Sequence, residues 1–135
     1  METTLYICQT CRMGQPVPED GIVPGARLLA AVAAGDLPEG IRIVPASCLQ
    51  ACAEGCAVAL SRPGAWSYVQ GGLAPDDAGE VATMARQYRD SEDGIVPWRE
   101  RSALFRKNTV ARIPPLPAPS LIATPLAPSP AKDPA

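Results

Sequence analysis

The placement of the cysteines constrains this chain more than any other feature. Five cysteines form two tight groups, one with Cys8 and Cys11 and one with Cys48, Cys52 and Cys56, and the sequence contains no histidine. An odd number of cysteines leaves at least one thiol out of any set of disulfides. Clustered thiols in a reducing compartment more often bind metal or carry out redox chemistry. Any soft-metal site in this chain must therefore be built from thiolates.

The composition predicts a small cytoplasmic protein. A length of 135 residues suits one domain with extensions, and a formal net charge of −2 provides no basic field to attract nucleic acid or anionic lipid. The N-terminal residues lack the pattern of a signal peptide, and no apolar stretch is long enough to span a membrane. We therefore expect a cytoplasmic protein with neither a nucleic-acid nor a membrane partner.

The order of the predicted elements is β-α-β, then a β-hairpin, then a helix. Proline at the first helical position and short alternating β-prone runs locate these elements. Strands are predicted at residues 3–7, 41–44, 57–61 and 66–70, and helices at residues 24–34 and 75–90. This order predicts an α/β domain with a small four-stranded sheet and two helices.

The sequence changes character after residue 93. We predict a domain over residues 1–93, a C-terminal extension over residues 94–113 that is partly basic, and a tail over residues 114–135. The tail contains eight prolines, which exclude a regular helix or sheet. We expect this proline-rich tail to be disordered.

The two cysteine groups are predicted to meet at one edge of the sheet. Each group follows a strand of the β-α-β unit, and the carboxyl ends of parallel strands lie at the same edge. A [2Fe–2S] cluster takes two thiolates for each iron, and zinc takes four thiolates in a tetrahedral site. A third possibility is a dithiol redox pair formed by Cys8 and Cys11. The spacing alone leaves these three chemistries open.

One segment carries a specific resemblance. Cys48-Leu-Gln-Ala-Cys52-Ala-Glu-Gly, followed by a β-prone run and Trp66-Ser-Tyr-Val, resembles the second ligand loop of thioredoxin-like [2Fe–2S] ferredoxins. Over nearly the whole chain, including residues 94–101 and Ala111-Arg-Ile-Pro-Pro115, the sequence is identified as a member of a bacterial family of predicted metal-binding proteins, domain of unknown function 1636.

The resemblance implies a thioredoxin-like ferredoxin fold and a [2Fe–2S] cluster, with zinc as the alternative metal. It implies an electron carrier or metal-binding protein rather than an enzyme. It also implies a redox or metal-handling protein partner, with a link to cobalamin or metal metabolism.

We predict Cys8, Cys11, Cys48 and Cys52 as the ligands, with Cys56 as a spare cysteine or a substitute for Cys11. The chain departs from the ferredoxin pattern in two places. Gly21 occupies the position of the second cysteine of the first loop, and Cys56 replaces a proline of the second loop.

Overall fold

In the computed structural model, which describes residues 2–50 and 55–116, five strands form one mixed sheet. The strands are β1 (Thr3–Cys8), β2 (Ile41–Ala46), β3 (Cys56–Ser61), β4 (Ser67–Leu73) and β5 (Thr109–Ile113). Their order across the sheet is β2-β1-β3-β4-β5. Strands β1 and β2 are parallel, and every other neighbouring pair is antiparallel.

Three α-helices accompany the sheet in this described part of the chain. They are α1 (Pro24–Ala34), α2 (Ala78–Asp90) and α3 (Ala103–Asn108), with 3₁₀ turns at Pro75–Asp77 and Trp98–Glu100. Pro24 provides a preset φ at the start of α1, as the sequence predicted. The predicted α/β class is confirmed. The β-α-β unit, the antiparallel hairpin and helix α2 follow one another in the predicted order.

The prediction of four strands and two helices was wrong. Residues 94–113 supply α3 and β5, and β5 pairs with β4 in the same sheet. The buried Arg101 anchors this segment, because its Nε donates to the carbonyl oxygen of Val96 at 2.8 Å and its Nη2 donates to the Tyr68 hydroxyl at 3.0 Å. The ring of Phe105 packs edge-on against Tyr68. The disorder predicted for the tail concerns mainly residues 117–135, which lie outside the described residues.

The core lies between the sheet and helices α1 and α2. Its fully buried members include residues from both helices and from the two central strands: Leu28, Val81, Met84, Leu5, Ile7, Val58 and Leu60. Burial of such aliphatic side chains contributes about 1.5–3 kcal/mol each to folding. On β1 the alternate residues Thr4 and Tyr6 are only half-buried and belong to the opposite face of the sheet.

Arg62 closes the C-terminal end of α2, where carbonyl groups have no partner within the helix. Its guanidinium donates to four carbonyl oxygens, those of Tyr88, Arg89, Ser91 and Glu92. The shortest of these bonds are 2.8 Å to Tyr88 and 2.6 Å to Ser91. A cation placed at a helix C-terminus also interacts favourably with the helix dipole.

We expect Arg62→Met to lower the free energy of unfolding by about 2 kcal/mol, because several charge-assisted hydrogen bonds are lost. This loss corresponds to a fall in Tm of about 10 °C, measurable by circular dichroism. Arg42→Met is the matched control, because Arg42 is exposed and lies 3.8 Å from Glu2 in an exposed ion pair. Equal Tm values for the two variants would contradict the assignment of Arg62 as a helix cap.

Candidate metal centre

The two cysteine loops leave the sheet side by side. Cys8 is the last residue of β1, and its partner in the parallel register is Ala46, the last residue of β2. The backbone N–H of Gln9 continues the ladder and donates to the carbonyl oxygen of Ala46 at 3.0 Å. The predicted exit of both loops from the same edge of the sheet is therefore confirmed.

Each loop contains a cysteine turn of the same geometry. In the first loop the N–H of Met13 donates to Cys11 Sγ at 3.3 Å, and in the second the N–H of Gln50 donates to Cys48 Sγ at 3.3 Å. Met13 and Gln50 have φ values of 55° and 54°, in the left-handed region that non-glycine residues seldom adopt. Such strained residues concentrate at functional sites. The two turns thus present two sulfur atoms in matching backbone settings.

Direct contacts join the two loops. The thiol of Cys11 donates to the carbonyl oxygen of Gly55 at 3.1 Å. The hydroxyl of Thr10 donates to the carbonyl oxygen of Ser47, and it also lies 3.8 Å from Cys8 Sγ. These contacts cross more than thirty residues of sequence and hold the cysteine loops against each other.

At two glycines beside the cysteine loops, Gly25 and Gly55, neighbouring backbone atoms lie too close to leave room for a side chain. A Cβ atom added to Gly25 would lie 2.3 Å from the carbonyl oxygen of Cys8 and 2.9 Å from the amide nitrogen of Cys11. The N–H of Gly25 also donates to the carbonyl oxygen of Cys11 at 3.0 Å. At Gly55, an added Cβ would lie 2.7 Å from the backbone of Gly72. The start of α1 and the start of β3 therefore fix the positions of the two loops.

Backbone hydrogen bonds favour the thiolate form of Cys8. Burial by itself raises the pKa of this thiol, but hydrogen bonds from the backbone of Leu49, Thr10 and Cys11 and from the Thr10 side chain lower it, and the net pKa lies below that of an ordinary cysteine. The contribution of Leu49 comes from the second loop. A thiolate is the form that binds a soft metal.

In the metal-free protein, the Cys8 thiol should therefore deprotonate at a lower pH than an ordinary cysteine. Because its pKa is depressed in the folded state, its contribution to stability is complete above the unfolded pKa of about 8.5 and is lost as the pH falls through the folded pKa. The test is a pH titration of ultraviolet thiolate absorbance in the metal-free wild-type protein and in Cys8→Ser. The step that is present only in the wild-type protein belongs to Cys8. The prediction is wrong if the titration step that Cys8→Ser removes has a pKa equal to or above that of an ordinary cysteine.

The four cysteines within the described residues differ in exposure. Cys8, Cys11 and Cys56 are buried, with at most 1% of their surface exposed, and Cys56 joins the hydrophobic core at the start of β3. Cys48 is exposed, and Cys52 lies outside the described residues. Within residues 2–50 and 55–116, no three cysteine or carboxylate side chains form a group that could hold a metal ion. The ligand set therefore stays a prediction.

Sequence reasoning did not single out several residues that shape this site. Met13, Gln50, Thr10 and Gly25 act through backbone geometry or contacts between loops. Gly25 follows Pro24 at the start of α1. That Pro-Gly pair was the one sequence signal that the start of α1 lies close to the backbone of the first cysteine loop. The left-handed residues gave no signal, because neither is glycine or asparagine.

The fold and the site define an α/β protein with a five-stranded mixed sheet and two matched cysteine turns beyond the carboxyl ends of β1 and β2. Residues 5–115 match a family described as protein of unknown function (DUF1636), and the chain belongs to that family.

The chain is also similar to a solved structure, a thioredoxin-like [2Fe-2S] ferredoxin from Aquifex aeolicus. The identity is 14%, the match covers 82% of this chain and 92% of that chain, and the TM-score is 0.49. The sequence matches no curated protein at a significant level. Among the described residues, no helix is long and apolar enough to cross a membrane.

Proposed function

We propose that this protein binds a thiolate-ligated [2Fe–2S] cluster at the edge of its sheet and serves in electron transfer or in cluster or metal handling. The observation that carries the proposal is the pair of matched turns in which backbone N–H groups donate to Cys11 Sγ and Cys48 Sγ. Hydrogen bonds of this kind stabilise thiolate ligands and tune the reduction potential of a cluster.

The donor chemistry supports this group. Cys8 and Cys11 would supply two thiolates from the first loop, and Cys48 with Cys52 would supply two from the second, which is the number that a [2Fe–2S] cluster needs. The bond from Cys11 to the carbonyl oxygen of Gly55 requires a protonated thiol, so it belongs to the metal-free form. Metal binding would replace it, because a thiolate has no proton to donate.

The burial of the cysteines argues against a dithiol enzyme. Thiol–disulfide exchange requires an accessible attacking thiolate, whereas Cys8 and Cys11 are both buried. The exposed thiol, Cys48, belongs to the other loop. A metal centre that uses both loops accounts for the contacts between them, and a pair within the first loop does not.

The test is purification without oxygen, followed by visible spectroscopy and analysis of iron, zinc and acid-labile sulfide. We expect a red-brown protein with iron and sulfide in equal amounts, at about two of each per chain. A colourless protein with stoichiometric zinc would overturn the cluster and leave a zinc-thiolate site. A protein that takes up no metal even after reconstitution would overturn both metal sites and favour a dithiol redox function for Cys8 and Cys11.

A further inference from the structure

A compact basic surface lies on α3 and on the 3₁₀ turn that precedes it. Residues 99–112 contain five of the twelve basic side chains of the protein and one of its fourteen acidic ones, so this segment carries a formal charge of +4 and the rest of the chain −6. Three of these cations, Arg99, Arg106 and Lys107, are exposed, and we call them the basic patch. Within residues 2–50 and 55–116, none of the three forms an ion pair with a carboxylate. Their charge is therefore available to a binding partner.

The basic patch has a fixed geometry, because Arg106 is held against the turn that carries Arg99. The Nε of Arg106 donates to the carbonyl oxygen of Trp98 and its Nη2 donates to that of Arg99, both at 2.9 Å. The Arg106 guanidinium also lies 5.9 Å from the centre of the Trp98 ring, which is 41% exposed. Arginine and tryptophan are enriched among the residues that dominate protein interfaces. A surface that is already ordered loses less conformational entropy when a partner binds.

The C-terminal end of α3 lies at the same end of the sheet as the cysteine loops. The side-chain amide of Asn108, the last residue of α3, donates to the carbonyl oxygen of Gly72 at 3.1 Å. A Cβ atom added to Gly55 would lie 2.7 Å from the backbone of Gly72, and the carbonyl oxygen of Gly55 accepts the bond from Cys11. These three successive contacts connect the end of α3 with the first cysteine loop. A molecule bound at the basic patch would therefore lie at the end of the sheet that carries the candidate metal centre.

We propose that the basic patch is the docking surface for a protein partner that presents a cluster of carboxylates, and that this protein is the redox or metal-handling partner of the cysteine centre. The role of the partner rests on the proposed function, whereas the docking surface is defined by residues that bind no metal. Three cations beside an exposed tryptophan match a compact carboxylate cluster on a protein. Nucleic acid would engage a longer series of cations along its phosphates, and the charge of −6 on the rest of the chain would repel it.

The test titrates the isotope-labelled, metal-free full chain with a peptide of eight glutamates and follows the N–H signals by NMR. An ionic strength of about 0.1 M limits the range of each charge to about 10 Å. We expect the shifts to concentrate on Trp98 and residues 99–108. The double substitution Arg99→Glu with Lys107→Glu should weaken binding at least about fivefold, because two attractions become repulsions. Arg106 is left in place because its hydrogen bonds support the turn.

Arg42→Glu with Arg86→Glu is the matched control, because it changes the net charge by the same amount at two exposed arginines. Arg42 is in register with Thr4, at the opposite end of the sheet from the cysteine loops, and Arg86 lines the groove between α1 and α2. This variant should bind the peptide within about twofold of the wild-type affinity, since the solvent screens both positions from the basic patch.

Three outcomes would overturn the docking surface. They are equal weakening in the two double variants, shifts spread over the whole chain, and tighter binding of an eight-nucleotide uridine RNA than of the peptide, which would assign the patch to nucleic acid. The proposed function can fail separately. Peptide binding at the patch of a chain that takes up no metal would refute the metal centre alone, and a cluster-containing protein that does not bind the peptide would refute the docking surface alone.

Discussion

If the proposed metal centre exists, replacing Cys48 with serine should abolish it while leaving the fold nearly intact. Cys48 is exposed and lies in the loop after β2, so the loss of its sulfur removes little packing. Serine offers a hard oxygen in place of a soft thiolate, which iron in a sulfide cluster and zinc in a thiolate site both disfavour. We expect iron and sulfide in the purified protein to fall below about a tenth of their wild-type amounts. The Tm of the metal-free protein should change by only a few degrees.

Cys56→Ala provides the control for this experiment. Cys56 is fully buried at the start of β3 and belongs to the hydrophobic core. Its truncation should cost about 1 kcal/mol of stability while the cluster is retained. The opposite pattern, with metal lost in Cys56→Ala and kept in Cys48→Ser, would make Cys56 a ligand in place of Cys48.

The substitution Gly25→Ala should destabilise the protein and also lower its occupancy of the proposed metal centre. The new Cβ would lie within 3 Å of backbone atoms of Cys8 and Cys11, and these atoms cannot move aside as a flexible side chain can. Either α1 shifts or the first cysteine loop shifts, and both displace the Cys11 sulfur from its present position. We expect a loss of about 3 kcal/mol in the free energy of unfolding, at the upper end of the range for overpacking. Metal content should fall severalfold.

Gly79→Ala is the matched control, since an added Cβ at Gly79 in α2 would meet no atom within 4 Å. Alanine is favoured over glycine in a helix by about 0.5–1 kcal/mol, so this variant should be slightly more stable and retain its metal. The test compares the Tm and the metal content of the two variants. Wild-type metal content together with wild-type Tm in Gly25→Ala would refute the role given to this close approach.

The sequence predicted those elements that local signals define. Helix α1 has the bounds expected from Pro24 at its start and Gly35 at its end. Strand β2 runs further than expected, through Pro45 to Ala46, because an edge strand tolerates a proline that has no N–H to donate. The fifth strand was missed because it forms only by pairing with β4, a contact between distant parts of the chain.

The sequence predicted at which edge of the sheet the candidate site lies, but not the geometry of the cysteine turns. Parallel pairing of β1 and β2 follows from the β-α-β order, and it places both cysteine groups together. The turn at Cys48 depends on Gln50 adopting a left-handed conformation, and no propensity favours glutamine there. The packing of the first loop against Gly25 depends on where α1 lies in the tertiary structure. Neither feature has a signature in local sequence.

Both outer strands of the sheet are blunted against association with other chains. Strand β2 is one edge, and it carries Pro45 and the exposed Arg42, while β5 is the other edge and is followed directly by Pro114 and Pro115. An unprotected edge strand templates pairing between molecules, and prolines and charges interrupt the ladder that such pairing requires. The protein should therefore resist edge-to-edge aggregation even at high protein concentration.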